Sequence, residues 1–159
     1  MIRDARPADF PAIAALNEES ERFVSPMSEA RLAQLHTWAA YHRVMELSGQ
    51  VAAFLIAFRD GARYDSPNYR WFSERYASFV YIDRVIVEPA QRGQGFASAL
   101  YRDVFAFARQ HGVDIVTCEF DVEPPNEVSR RFHRRFGFHE VGTHSYNAKR
   151  VSMQATNAC

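Results

Sequence analysis

A glycine-rich turn between an apolar run and an amphipathic run is the segment most suited to chemistry. It reads Arg92, Gly93, Gln94, Gly95, Phe96 and Ala97. A helix that begins directly after a strand points its first free N–H groups and the positive end of its dipole toward the strand's exit. Small residues there let the oxygens of a ligand approach the backbone. The turn therefore predicts an anion site to which Arg92 adds a cation; the alternative is a plain turn whose glycines serve conformation only.

Two better-known glycine motifs do not fit this turn. A P-loop requires a lysine followed by Ser or Thr after its last glycine, and neither is present. The dinucleotide fingerprint requires a further small residue and an acidic residue about twenty positions later. Ser98 with Asp114 or Glu119 could supply them, but the preceding strand lies in the middle of the chain, not at the start of a βαβ repeat. The sequence therefore does not favour either nucleotide motif.

Composition limits the classes of function. The 159 residues include 19 basic and 19 acidic ones, so bulk attraction to nucleic acid or to an anionic membrane is not expected. No apolar run approaches the ~20 residues of a membrane helix, and we expect a cytoplasmic protein. Six histidines are scattered without a ligand-like spacing, so no metal site is predicted. Cys118 lies in an apolar run typical of a buried free thiol, and a nucleophilic role for it is not favoured.

The pattern of apolar residues predicts the elements that position the glycine turn. The strand "SFVYIDRVIV" precedes it, and an amphipathic helix closed by Gly112 follows. Upstream we expect a strand, a helix capped by Asp9, a helix capped by Ser28, and a hairpin that turns at Gly49. Residues 59–77 are predicted to be irregular. The order of these segments predicts one α/β domain, residues 1–159, with a mixed sheet.

The downstream half predicts a strand, "DIVTCEF", then a second helix and two closing strands. Along that helix Val128, Phe132 and Phe136 form an apolar stripe. Asn126, Ser129 and His133 share the opposite face. The arginines between residues 130 and 135 are expected on a solvated surface of this helix.

Two motifs resemble those of the GNAT N-acetyltransferase superfamily. The turn reads R-x-x-G-x-A, which resembles the superfamily's acyl-CoA signature, and "NEVSRRFHRRFGF" is similar to its N-x-x-A-x-x-F-Y-x-x-x-G-F element. The order of the other segments also suits this fold, so the resemblance covers nearly the whole chain. It implies a central, mostly antiparallel mixed sheet flanked by helices, in which the strand before the signature splays from its neighbour.

The resemblance further implies that acetyl-CoA is the acyl donor. Its pantetheine arm would occupy the gap beside the splayed strand, and its pyrophosphate would lie on the glycine turn without a metal. The implied contacts are the backbone of Val85, Ile86 and Val87, the N–H groups of Gly93, Gln94, Gly95, Phe96 and Ala97, and the side chains of Arg92, Asn126 and Ser129.

By the same resemblance, three residues are candidates for proton transfer. His133 stands where the family more often has the tyrosine that protonates the departing thiolate; the alternative is a histidine that packs against the cofactor. The position of the family's glutamate base is Tyr81, which is not a carboxylate. Asp83 would share a face with Tyr81 on a regular strand and is the predicted base. The alternatives are a salt bridge between Asp83 and an arginine, or a base at Glu18 or Glu19.

The segment before the splayed strand is rich in Tyr, Trp, Phe and Arg. It could hold an acceptor amine by cation–π contact, or bury its aromatics against the sheet or in a dimer contact. The predicted function is transfer of an acetyl group to a primary amine of a small molecule, an amino acid or a protein N-terminus. A non-catalytic acyl-CoA-binding domain and transfer of another acyl group are the alternatives. The resemblance also allows a homodimer.

Overall fold

The computed structural model describes residues 1–21 and 24–159, which form a strand-rich α/β fold. The strands are β1 (Ile2–Asp4), β2 (Tyr41–Leu47), β3 (Gln50–Arg59), β4 (Val80–Val87), β5 (Ile115–Glu123), β6 (His139–Tyr146) and β7 (Lys149–Asn157). The helices are α1 (Phe10–Glu19), α2 (Glu29–Trp38), α3 (Pro67–Ser73), α4 (Phe96–Gln110) and α5 (Glu127–Arg135). No helix within the described ranges combines the length and apolarity that a membrane span requires.

All seven strands form one sheet in the order β1–β2–β3–β4–β5–β7–β6. Every neighbouring pair is antiparallel except β4 and β5, so the predicted mixed, mostly antiparallel sheet is confirmed. The parallel pairing is short: it joins Val80 with Val116 and Tyr81 with Thr117. Both strands continue past these pairs without further pairing to each other. The sheet therefore has a gap beyond Tyr81, as the resemblance implied.

The sheet separates two hydrophobic cores, and β3 contributes to both. Phe54 and Ile56 belong to the core formed with the buried side chains of α1, α2 and α3. Leu55 and Ala57 belong to the core formed with α4, against which the aromatic side chains of α5 pack. Each large apolar side chain buried in this way contributes roughly 1.5–3 kcal/mol. Packing on both faces of the sheet therefore stabilises the positions of β4 and β5 on either side of the gap.

Two of the predicted local features, the Ser28 cap and the turn at Gly49, are present, whereas the predicted Asp9 cap of α1 is not. Ser28 caps α2, with its Oγ accepting from Arg31 N at 3.1 Å. Gly49 has a φ of 78° in the turn between β2 and β3, a conformation that favours glycine. Asp9 stands at the start of α1, but its side chain makes no capping bond to that helix. Its carboxylate accepts instead from Arg6 N at 2.8 Å and so closes the short 3-10 turn before α1.

The segment predicted to be irregular contains a helix, α3. Ser66 caps it, since its Oγ accepts from Tyr69 N at 3.3 Å. Pro67 occupies the first turn, where its missing N–H costs nothing. Tyr69 and Phe72 are buried in the first core. Much of the aromatic run therefore serves the core, as one of the alternatives for this segment anticipated, whereas Tyr64 reaches the site described next.

Candidate active site

A cleft of about 770 Å³ opens where β4 and β5 separate. This volume lies within the roughly 300–1,000 Å³ typical of small-molecule sites. Residues 81–87 of β4 contribute one wall and residues 118–121 of β5 the other. One end of the cleft reaches the start of α4, and the other lies between α3 and the turn that joins β6 to β7. The gap in the sheet is thus a binding groove with two chemically different ends.

The first end is the glycine turn. Gly93 and Gly95 have φ values of 80° and 83°, which L side chains rarely adopt, and an ideal Cβ on either would meet nothing within 4 Å. The first α4 bond runs from Ala99 N to Gly95 O at 3.0 Å, so the N–H groups of residues 96–98 have no acceptor within the helix. Arg92 and Ala97 line the cleft. Free amides, open space and a cation make this end suited to an anion.

The backbone of β4 offers a second set of polar groups. Glu88 N donates to Ala52 O of β3 at 2.8 Å. Because successive amides along a strand point to opposite sides, the N–H of Val87 points away from β3 and into the gap. Val85 and Ile86 also line the cleft, at a level where β5 does not pair with β4. This strand edge can therefore bond an extended ligand as a neighbouring strand would.

Tyr81 and Glu119 meet on the floor of the cleft. Tyr81 Oη donates to Glu119 Oε1 at 2.5 Å, across the point where β4 and β5 part. Burial raises the pKa of Glu119 to about 8, although the Tyr81 hydrogen bond acts in the opposite direction. The Glu119 side chain is still partly accessible from the cleft. A carboxyl group with a pKa near neutrality can accept and return a proton at physiological pH.

Asp83 lies beside this pair but is already occupied. Ile82 and Arg84 pair with consecutive residues of β3, which leaves Asp83 as the extra residue of a β-bulge. Its Oδ2 accepts from Arg84 Nε at 2.6 Å and its Oδ1 accepts from Tyr64 Oη at 2.6 Å. The side chains of Asp83 and Arg84 are 7% and 4% exposed. The salt bridge that the sequence left open is present, and these contacts do not favour Asp83 as the base.

His133 lines the cleft but has no free ring nitrogen. Its Nδ1 donates to Ser129 O at 2.7 Å, so its Nε2 accepts from Tyr101 Oη at 2.6 Å. Burial lowers the pKa of His133 to about 4. The ring also packs edge-on against Phe138. A histidine that is neutral at pH 7 and bonded on both sides does not fit the predicted acid; the contacts favour the packing role that the sequence left open.

Helix α5 presents polar groups to the cleft with one difference from the predicted stripe. Asn126 caps the helix through Oδ1, which accepts from Ser129 N at 3.2 Å, and both residues line the cleft. Phe132 packs against the second core. Val128, predicted to lie on the same buried stripe, is 81% exposed because His133 occupies the buried side of the helix. Val128 lies at the cleft mouth, available to a ligand.

Two other candidates from the sequence find no support in the geometry. Burial raises the pKa of the Cys118 thiol well above its usual range, so the thiol stays protonated and is a poor nucleophile. This agrees with the expected buried free thiol. Glu18 and Glu19 are exposed on α1 and, among the described residues, are not part of the cleft lining.

The sequence model of the acetyltransferase (GNAT) family matches residues 5–138, most of the chain and all of the cleft except its β6–β7 end. The chain belongs to the GNAT acetyltransferase family. The GNAT resemblance seen in the sequence is therefore confirmed. Membership in this family indicates an acetyltransferase enzyme.

Solved structures of other proteins share this fold, and a further protein is similar in sequence over part of the chain. A phosphinothricin N-acetyltransferase of Streptomyces coelicolor is 41% identical over 61 residues, which are 38% of this chain and 34% of that protein. Ard1 from Thermoplasma volcanium superposes with a TM-score of 0.79 at 18% identity, covering 99% of this chain and 96% of that one. The yncA protein from Salmonella typhimurium, solved with its cofactor acetyl-CoA, superposes with a TM-score of 0.74 at 18% identity, covering 100% of this chain and 94% of that one.

The residue of this GNAT site that sequence reasoning missed is Glu119. The sequence points to Glu119 only as a possible acidic residue of a dinucleotide motif. A signal was present: Glu119 is the one charged residue between Ile115 and Phe120 in an otherwise apolar strand. A charged residue in such a strand is rarely buried without a partner or a function. Its partner, Tyr81, was identified by position in the motif, but the contact between them was not.

Proposed function

We propose that the protein transfers an acetyl group from acetyl-CoA directly to a primary amine. The observation that supports this best is the Tyr81–Glu119 pair on the floor of a cleft whose far end is suited to an anion. A base with a pKa of about 8 matches the proton transfer that the reaction requires. The anion site matches the pyrophosphate of the acyl donor.

Acetyl-CoA fits the donor half of the cleft through residues of this chain. The N–H groups of residues 93–98 and Arg92 would hold the pyrophosphate. The open edge of β4 at Val85 and Val87 would bond the pantetheine amides, and Asn126 would contact the same arm from α5. Acetyl-CoA would supply an activated thioester, and the residues of this chain would bind and orient it.

The proton transfer at the floor of the cleft depends on the ionisation state of Glu119. The amine nitrogen attacks the thioester carbonyl carbon, forming the C–N bond, and the nitrogen gives its proton to the Glu119 carboxylate. The C–S bond then breaks, and the thiolate takes a proton from the site or from water. An N–H of β4 that points into the gap, such as that of Val87, would stabilise the developing oxyanion, a contribution of typically ~3–4 kcal/mol.

Thermal unfolding with acetyl-CoA, free CoA or NAD, together with mass detection of acetylated amine, tests the proposal. Ligand at a hundredfold its dissociation constant adds ~2.7 kcal/mol, a shift of roughly 5–10 °C for a domain of this size. We expect acetyl-CoA and CoA to shift the transition, NAD not to, and Arg92→Glu to reduce the shift. Shifts without acetylation of any amine would favour the non-catalytic acyl-CoA-binding alternative. No shift with acetyl-CoA would refute the proposal.

A further inference from the structure

The end of the cleft at α3, opposite the glycine turn, is the acceptor end in the proposed reaction, and a buried ion pair lies beside it. Arg84 Nε donates to Asp83 Oδ2 at 2.6 Å, and Asp83 Oδ1 accepts from Tyr64 Oη at 2.6 Å. Tyr64 belongs to the connection from β3 to α3, and all three residues line the cleft. The ion pair therefore fixes Tyr64 in the wall of the acceptor end.

The same guanidinium holds the connection that follows α1. Arg84 Nη1 donates to Asn17 Oδ1 at 2.8 Å and to Ser25 O at 3.1 Å, and Nη2 donates to Ser25 Oγ at 3.1 Å. Asn17 Nδ2 also donates to Ser25 O, at 3.1 Å. Asn17 is fully buried on α1, whereas Ser25 is exposed and lines the cleft. An exposed residue of the cleft wall is thus held by hydrogen bonds from two buried side chains.

The β-bulge in β4 turns Arg84 toward these partners. On a regular strand Arg84 would share a face with Ile82. The bulge at Asp83 reverses the alternation: Ile82 packs in the core with α4, whereas Ile86 packs in the core with α1, α2 and α3. Arg84 shares the face of Ile86 and so reaches Asn17 of α1. The irregularity of β4 therefore brings the guanidinium to the connection after α1.

The burial of this ion pair favours a role in fixing position over a role in stability. The side chains of Arg84 and Asp83 are almost completely buried. A buried ion pair adds little net stability compared with apolar side chains of similar volume, because the cost of desolvating both charges offsets their attraction. A planar guanidinium nevertheless directs each N–H at one acceptor, which an apolar contact cannot do. The pair therefore specifies where the wall residues lie.

We propose that Arg84 is a positioning residue that holds Ser25 and Tyr64 as the acceptor-side wall of the cleft, so that turnover of the acceptor depends on it and binding of acetyl-CoA does not. This inference rests on the proposed acetyl transfer and adds the residue that shapes its acceptor site. Arg84 acts through the two wall residues and not on the reacting atoms. A wall displaced by about 1 Å would misplace the amine relative to the thioester, which slows a transfer between two bound reactants.

The variant Arg84→Lys separates position from charge. Lysine keeps a positive charge beside Asp83, but it lacks the planar fork that bonds Asn17 and Ser25 together. The charge of Arg84 lowers the pKa of Glu119, so a retained charge should leave the pH midpoint of turnover unchanged. We expect kcat/KM for the acceptor to fall at least roughly tenfold. The dissociation constant for acetyl-CoA should stay within about threefold of wild type, since the glycine turn and Arg92 are untouched.

Arg3→Lys is the matched control. Arg3 is also a multiply bonded arginine, which donates to Asp9 at 2.8 and 2.9 Å and to Glu46 at 3.0 Å, and these three residues do not line the cleft. The probe is the amine that the wild type acetylates fastest among benzylamine, phenylalanine and a tetrapeptide with a free N-terminus. We expect Arg3→Lys to keep the kcat/KM of the wild type for this probe. Equal losses in the two variants, or no loss in Arg84→Lys, would overturn the inference.

A second variant covers the case in which Arg84→Lys does not fold. Ser25→Ala changes an exposed residue and removes only the bond from Arg84 Nη2. It should lower kcat/KM for the probe in the same direction and by a smaller factor, again without weakening acetyl-CoA binding. Unchanged turnover in Ser25→Ala would overturn the part that the inference gives to Ser25.

Nitrogen NMR relaxation of the Ser25 amide measures the same wall without a substrate. We expect an order parameter near the value of about 0.85 that is typical of rigid backbone in the wild type and in Arg3→Lys, and a clear decrease in Arg84→Lys. An unchanged order parameter in Arg84→Lys would overturn the inference. If the wild type bound acetyl-CoA but acetylated none of the three amines, the proposed acetyl transfer would fail, whereas the order parameter would still decide whether Arg84 holds the wall.

Discussion

Removal of the Tyr81 hydroxyl tests the pair on the cleft floor. Tyr81 Oη donates to Glu119 Oε1 at 2.5 Å, and this bond lowers the pKa of the carboxyl group, which burial nevertheless raises to about 8. A hydrogen bond to a charged group is worth about 1.5–3 kcal/mol, and 1.36 kcal/mol corresponds to one pKa unit. Tyr81→Phe should therefore raise the pKa of Glu119 by about one to two units.

The consequence for activity follows from the ionised fraction. With a pKa of about 8, about a tenth of Glu119 is ionised at pH 7, and in Tyr81→Phe about a hundredth or less. The value of kcat/KM at pH 7 should fall roughly tenfold or more and recover as the pH approaches 10. The assay should use an acceptor amine whose own pKa lies well below neutrality, so that the amine itself does not titrate over the pH range measured.

Carbon NMR of labelled glutamate carboxyl groups measures the same midpoint without a substrate. The Glu119 resonance is identified by its absence from Glu119→Gln. Tyr41→Phe is the matched control, because Tyr41 is a buried tyrosine whose Oη donates at 2.7 Å to another carboxylate, Asp103. A midpoint in Tyr81→Phe that stays unchanged or falls would refute the reasoning. A shift of equal size in Tyr41→Phe would show that it does not come from the bond to Glu119.

Three further predictions concern pH, packing and the turn. The pKa of Glu119 is about 8 in the folded chain and about 4.5 when the group is exposed, so the unfolding free energy should fall as pH rises between these values. Glu119→Gln should make the unfolding free energy, measured by denaturant titration, less dependent on pH. An unchanged pH dependence would contradict the raised pKa. His133→Phe leaves Tyr101 Oη without its acceptor and should cost about 1–3 kcal/mol in unfolding free energy. Its kcat should stay within a few-fold of that of the wild type. A hundredfold loss of kcat would instead support His133 as the acid. Gly95→Ala, at a φ of 83°, should cost about 1–2 kcal/mol in unfolding free energy and raise the KM for acetyl-CoA. Unchanged values of both would contradict the role given to the positive φ at this position.

Local chemistry made the glycine-turn end of the cleft predictable. The end of β4, the glycine turn and the start of α4 are contiguous in sequence, and strand exit, positive φ and free amides all follow from residue types over a short span. The resemblance then supplied the gap between β4 and β5, which no local pattern shows. Residues 92–97 therefore form the predicted glycine turn and the start of α4.

The floor of the cleft was less predictable because it depends on contacts between distant segments. Tyr81 and Glu119 are 38 positions apart, and the pKa of Glu119 depends on burial that only the assembled sheet provides. The pairing of Asp83 with Arg84 depends on a β-bulge, which regular alternation does not reveal. Helix α3 is seven residues long, too short for periodicity to distinguish it from a loop.

Acetyl transfer by Glu119→Gln, with acetyl-CoA binding measured on the same sample, tests the central claim most directly. Glutamine keeps the shape of the side chain and can still bond Tyr81, but it cannot take a proton from the amine. We expect the dissociation constant for acetyl-CoA to stay within about twofold of wild type and the single-turnover rate to fall by about 10²–10⁴. A variant that binds acetyl-CoA normally and transfers its acetyl group at the wild-type rate would contradict the account.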